Sequence, residues 1–247
     1  MAAITSNTES WNGHAFSEVE THIKNRFSES YPYNGHDYVE IGGLKWATMN
    51  IGATSVTDYG QYFQWGDTTG YLSGQCGSSS TAYKKPFNLL DYKFSGGRDY
   101  PSETGFTKYN SSDGKTMLDG CDDAATLNWG GAWRMPTTAE FQALGNAVNT
   151  AWTASYQGSG VAGIVCTDKT DSSKVLFFPA AGYCSDGSVN YVGSDGRYWS
   201  SSLVTLDDMY SAYSLYFYSD STIWDCRFVV YGNDGRWGGF SVRPVIG

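Results

Sequence analysis

The chain has 247 residues, enough for one large domain or two small ones, and a single domain of that size buries roughly 70–75% of its unfolded surface without help from disulfides or metals. Hydrophobic residues make up 40% and charged residues 17%, with 30 Gly and 6 Pro, a globular balance tilted toward irregular loops that excludes long disorder. Lys and Arg number 16 against 25 Asp and Glu, and the net charge of −9 excludes nucleic-acid binding, which rests on cationic neutralisation of phosphates.

The N-terminus lacks the basic start and apolar run of a secretory signal, and no later stretch approaches the ~18–20 apolar residues of a membrane span. The expectation is a chain that does not insert into membranes, made as a soluble protein or relieved of a leader. Within residues 1–36, Ser17 and Glu20 fit a capping box, and Phe16, Val19, Ile23 and Phe27 recur at helical spacing. They predict a short amphipathic helix whose apolar stripe packs on its own domain, builds a homo-oligomer such as a trimer, or attaches the chain to a larger assembly. The YPYNG run at 31–35 reads as a hinge into the main domain, residues 37–247.

From Asp37 onward short β-type runs alternate with Gly, Ser, Asn and Asp clusters: 38–41, 44–47, 62–65, 162–167, 175–179, 212–218, 224–231 and 240–245. Residues 70–120 lack periodicity and predict a long insertion of loops lying over the core. After Pro136, Thr137 and Glu140 form a second capping box, and Phe141, Leu144 and Val148 place an apolar stripe on a helix. The pattern is α+β, loop-rich, with small antiparallel sheets and few helices.

The residues that carry chemistry are sparse. His14, His22 and His36 are the three histidines, so the main domain has none for a nucleophilic triad or a zinc site, and no phosphate-binding glycine loop occurs. The pairs Asp122-Asp123 and Asp207-Asp208 read as solvated loops, because neighbours on a strand point to opposite faces. Cys76, Cys121, Cys166, Cys184 and Cys226 are far apart, odd in number and without a C-x-x-C pair, so free buried thiols are expected. No enzyme activity, metal or cofactor is predicted.

The run Trp129-Gly130-Gly131-Ala132-Trp133-Arg134-Met135-Pro136-Thr137, followed by Glu140-Phe141, resembles the hallmark of the Fibrobacter succinogenes major paralogous type of domain, a branch of the C-type-lectin-like and formylglycine-generating-enzyme-like folds. Val39–Ala53, Tyr59–Asp67, Asp122–Ala125, Phe178–Gly182, Arg197–Ser202 and Phe240–Val245 resemble the family's other landmarks in order, over roughly 37–247. The resemblance implies a lectin-type fold in which the terminal FSVRPV strand pairs near the first strand. Trp46, Trp65, Trp129, Trp133 and Trp199 fit as core anchors beside glycines that allow close approach. The E-P-N, Q-P-D and W-N-D sequences of calcium-dependent sugar-binding lectins are missing.

Within this fold the chain is most similar to the variable proteins of diversity-generating retroelements, whose C-terminal stretch is rewritten by adenine-directed mutagenesis. The resulting codons cannot encode Lys, Glu or Gln. None of the three occurs from Val175 to Gly247, whereas residues 1–174 hold 21 of them, although a scaffold strand region is poor in these residues anyway. The resemblance places a variable region at about 203–239. Its expected ligand-binding residues are Asp207, Asp208, Tyr210, Ser214, Tyr216, Tyr218, Asp220, Thr222, Asp225, Arg227, Phe228, Tyr231 and Asn233. Ala212, Leu215 and Phe217 are expected to be scaffold. Tyr suits such a face, since it offers broad amphipathic contact for two torsions.

The function implied is receptor binding, as an adhesin on a phage tail fibre or a bacterial cell surface, with a protein or glycan ligand. Two alternatives stand beside it: an invariant surface or carbohydrate-binding module of the same family, and an oxidase of the formylglycine-generating type. The last needs a reactive cysteine pair, and Cys226 has no close partner in sequence.

Overall fold

The computed structural model describes residues 10–11, 14–15, 32–78, 84–97, 106–207, 210–219 and 229–247. Short strands β1 (Ser10–Trp11) and β2 (His14–Ala15) pair as a hairpin, while the helix expected over 16–27 lies outside the described residues. Strands β3 (Tyr38–Ile41) and β4 (Leu44–Ala47) follow, then helices α1 (Ala124–Trp129) and α2 (Thr138–Ala147). Strands β5 (Val148–Thr153), β6 (Gly163–Asp168) and β7 (Val175–Pro179) form an antiparallel meander. A hairpin of β8 (Tyr183–Ser185) and β9 (Ser188–Asn190) leads to the sheet β10 (Asp195–Leu203), β11 (Ser211–Tyr218) and β12 (Val229–Gly235). The last strand, β13 (Val245–Ile246), returns to pair with β4, so the chain's end does lie beside its first main-domain hairpin.

Helix α2 forms where its capping box predicts: Thr137 Oγ1 accepts from Glu140 N at 3.2 Å and Glu140 Oε2 accepts from Thr137 N at 2.7 Å. Arg134 also holds Glu140, and Phe141 and Leu144 are buried. Val148 is buried too, but as the first residue of β5, since the helix ends one residue earlier. Tyr62–Trp65 and 240–245 make isolated bridges and one short strand pair in place of the longer strands expected there.

Two aromatic cores lie on either side of β10, whose side chains alternate between them. Trp199 joins Trp65, Tyr92, Phe94, Phe106, Tyr109 and Phe240, whereas Tyr198 joins Trp46, Phe141, Phe178, Leu215 and Phe217. Trp46, Trp65, Trp133 and Trp199 are the anchors the sequence implied, while Trp129 is partly buried and stacks on His36 at 3.6 Å. The expected hinge is pinned at its end: Tyr33 O accepts from Trp133 Nε1 and Tyr33 Oη from Ala132 N, both at 3.0 Å.

Three expectations are corrected. The 70–120 segment does not lie over the core, because Phe87, Tyr92, Phe94, Phe106 and Tyr109 build it from irregular backbone. Asp122 and Asp123 are buried and bonded instead of solvated: Asp123 caps α1 through Thr126 N and accepts from Met135 N. Cys76 and Cys184 form a disulfide that joins the 71–78 loop to β8, where free thiols were expected; Cys121 and Cys166 are not disulfide-bonded.

Candidate ligand-binding face

The face grows from how closely β8 approaches β10. Gly182 and Gly196 form a parallel bridge, and neither tolerates a side chain: a Cβ on Gly196 would lie 2.0 Å from Phe217, and one on Gly182 would lie 2.0 Å from Asn190 O. The next residue on each strand is then a neighbour of the other, which brings Tyr183 beside Arg197. On the opposite side of β10, Arg197 is in register with Tyr216 of β11. The guanidinium therefore sits between strands carrying a tyrosine each, 4.3 Å from the Tyr183 ring and 4.9 Å from the Tyr216 ring. Such contacts contribute about 0.5–2 kcal/mol, more as water is excluded.

The stack extends both ways. Tyr191 lies on Tyr183 with ring centres 5.9 Å apart, and Tyr218, two residues along the same face of β11, lies on Tyr216 at 5.4 Å. Beneath it, Asp234 of β12 accepts from Arg197 Nη1 and from Ser214 Oγ. Burial pushes the Asp234 carboxyl above its ordinary range against the pull of Arg197. At the open end, burial and the Asp195 carboxylate push the Tyr216 hydroxyl up to about 12, and burial raises Asp195 as well.

This geometry sorts the expected residues. Ala212, Leu215 and Phe217 are fully buried. Tyr216 and Tyr218 are half-buried on the outer face, and Asp207 and Tyr210 are exposed on the connection between β10 and β11, with the Tyr210 ring against Phe106. Ser214 is a correction: it shares a face with Tyr216 but is 0% exposed, because Asp234 and Arg197 close over it at the middle of the sheet. Tyr231 and Asn233 lie on β12, with Tyr231 opposite Ser214. Asp208, Asp220, Thr222, Asp225, Arg227 and Phe228 lie outside the described residues.

Sequence reasoning missed Tyr183, Tyr191, Asp195 and Asp234, and it read Arg197 only as part of a scaffold landmark. A signal existed in the glycines before Tyr183 and Arg197, but their pairing is a tertiary fact.

The other polar cluster is Asp119, Cys121 and Asp122, whose ligand atoms lie within 4.8 Å of one another. Its carboxylates are already held by cations: Lys93 on Asp122 at 2.6 Å, Lys108 on both, and Lys115 on Asp119 at 2.6 Å. Three ammonium groups oppose a further cation, and the cluster reads as a cross-link of the loop 106–122. Among the described residues no helix is long and apolar enough to cross a membrane. The chain matches no protein-family model, no curated protein and no solved structure.

Proposed function

We propose that the chain is a ligand-binding protein without catalytic activity, a variable protein of the diversity-generating retroelement type whose C-type-lectin-like scaffold displays residues of β11, β12 and their connection to a receptor. The observation that carries this reading is the division of labour along β11. Leu215 and Phe217 are locked in the core while Tyr216 and Tyr218 stack on the outer face, so the outer residues can vary without disturbing the fold. An adhesin on a phage virion or bacterial surface fits a rigid face of this kind. The oxidase alternative loses support, since Cys184 is already bonded to Cys76 and is not available to Cys226.

Two experiments test the reading. Sequencing the locus should find a near-repeat of the C-terminal coding segment and a reverse transcriptase; an invariant module of the same family would have neither. Replacing Tyr216, Tyr218 and Tyr231 together by Ala should abolish binding to the cognate receptor, because truncated aromatic anchors cost about 2 kcal/mol or more each at an interface, while the variant still folds with a midpoint lowered by the loss of the Arg197–Tyr216 contact. Retained binding in a folded triple variant would overturn the assignment.

A further inference from the structure

The rings of the face are tied to residues that lie beneath it. Asp234 of β12 is 4% exposed, yet it is the one side-chain acceptor of the Arg197 guanidinium among the described residues. Nε of the same guanidinium is buried without a hydrogen-bond partner among them. Ser214 of β11, 0% exposed, donates to the other carboxylate oxygen of Asp234. Each strand of the sheet thus supplies one member of a bonded chain: Arg197 from β10, Ser214 from β11 and Asp234 from β12.

That chain holds two sheets in step at the surface. Tyr183 belongs to the β8–β9 hairpin and Tyr216 to the three-stranded sheet, and the Arg197 guanidinium contacts both rings. A guanidinium is planar, so where it stacks depends on how its edge is held, and a charge-assisted bond to a carboxylate is strong and directional. A second carboxylate competes for it: Asp195, at the open end, attracts Arg197 and accepts from the Tyr216 hydroxyl. With Asp234 uncharged, the guanidinium is left 5.6 Å from the Phe240 ring without its buried counter-charge, and the remaining pull is toward Asp195. Following that pull displaces it relative to Tyr183 and Tyr216 and draws the Asp195 carboxylate away from the Tyr216 hydroxyl.

Resting on the ligand-binding reading above, we propose that Asp234 and Ser214 are positioning residues of the face: they touch no ligand, and through Arg197 they set where the rings of Tyr183 and Tyr216 stand. The region 203–239 then holds positions of two kinds. Tyr216 and Tyr218 meet the ligand, whereas a change at 214 or 234 alters recognition from beneath.

The test uses two nanobodies raised against the full chain, one counter-selected against Tyr216→Ala so that it reads the face, the other selected to bind that variant equally well so that it reads the fold. Asp234→Asn keeps the side chain's shape and should weaken the first about tenfold while leaving the second unchanged. Starting from Arg197→Gln, the same substitution should add no further loss, because its effect passes through Arg197. Ser214→Ala, which keeps both charged groups, should weaken the first nanobody about threefold and carries the test if Asp234→Asn does not fold. Unchanged binding of the first nanobody to the folded variants, equal weakening of both nanobodies, or a full additional loss in the Arg197→Gln background would each overturn the proposal. None of these outcomes touches the ligand-binding reading, which falls instead if the Tyr216, Tyr218 and Tyr231 variant keeps its receptor.

Discussion

Replacing Arg243 should be among the most damaging single changes in this protein. Its side chain is 0% exposed and donates from Nε to Asn50 Oδ1 at 2.9 Å, from Nη1 to Ala47 O at 3.0 Å and from Nη2 to Phe177 O at 3.0 Å. It also lies 4.7 Å from the Phe178 ring. Burial lowers its pKa to about 10, which reports the cost of keeping the charge out of water. Hydrogen bonds from a charged group contribute about 1.5–3 kcal/mol each, but deletion also recovers part of the desolvation cost, so Arg243→Ala should lose about 3–5 kcal/mol in all. That is a large share of the roughly 5–15 kcal/mol typical of a folded domain. Arg243→Lys keeps the charge, yet its donors radiate from one nitrogen and cannot span acceptors placed around a planar guanidinium, and a loss of about 2 kcal/mol or more follows. Urea unfolding followed by tryptophan fluorescence, with the slope m unchanged, measures both. A loss below about 1 kcal/mol for Arg243→Ala would refute the view that this side chain ties β4, β7 and the C-terminal segment together.

Acid should weaken the loop at 106–122 in a defined window. Burial alone would raise the Asp122 carboxyl, but hydrogen bonds from Lys108, Lys93 and Tyr109 outweigh it and hold the group down to about 2 from its ordinary 3.8. A carboxylate with a depressed folded pKa stabilises fully above its unfolded value, so this contribution should fade as pH drops from about 3.8 to about 2. Asp122→Asn should remove that part of the acid sensitivity, and an unchanged titration of stability would count against the assignment. The chain purified without reductant should carry the Cys76–Cys184 bridge by peptide mapping. Closing a loop of this separation restricts the unfolded chain by up to about 4.7 kcal/mol, so reduction or Cys76→Ser should lower the unfolding midpoint clearly; two free thiols at these positions in the native protein would contradict the structure.

Legibility in the sequence followed the range of the interaction. The helix Thr138–Ala147 was readable because its capping box and apolar stripe lie within one segment, and β7 because Val175–Pro179 is a continuous apolar run. Strand β10 hid behind a motif rich in Ser, since Ser200 and Ser201 are buried through bonds to Tyr213 O and Pro136 O that no local pattern announces. Asp122 and Asp123 looked solvated for the same reason: their partners Lys93, Lys108 and Met135 come from elsewhere in the chain.

By itself the sequence determined the α+β composition, through apolar periodicity and local capping, whereas the aromatic anchors and the inward set Ala212, Leu215 and Phe217 came from the family resemblance, which alternation supported only in part. Tertiary structure alone decided that Ser214 is covered, that Cys76 meets Cys184, and that Arg197 lies between Tyr183 and Tyr216. Each of those depends on which strands lie side by side. Gly182 and Gly196 bridge the start of β8 to β10, yet the atoms a side chain there would strike, Asn190 O and the Phe217 ring, belong to other segments, and composition cannot state which distant neighbour a glycine is there to admit.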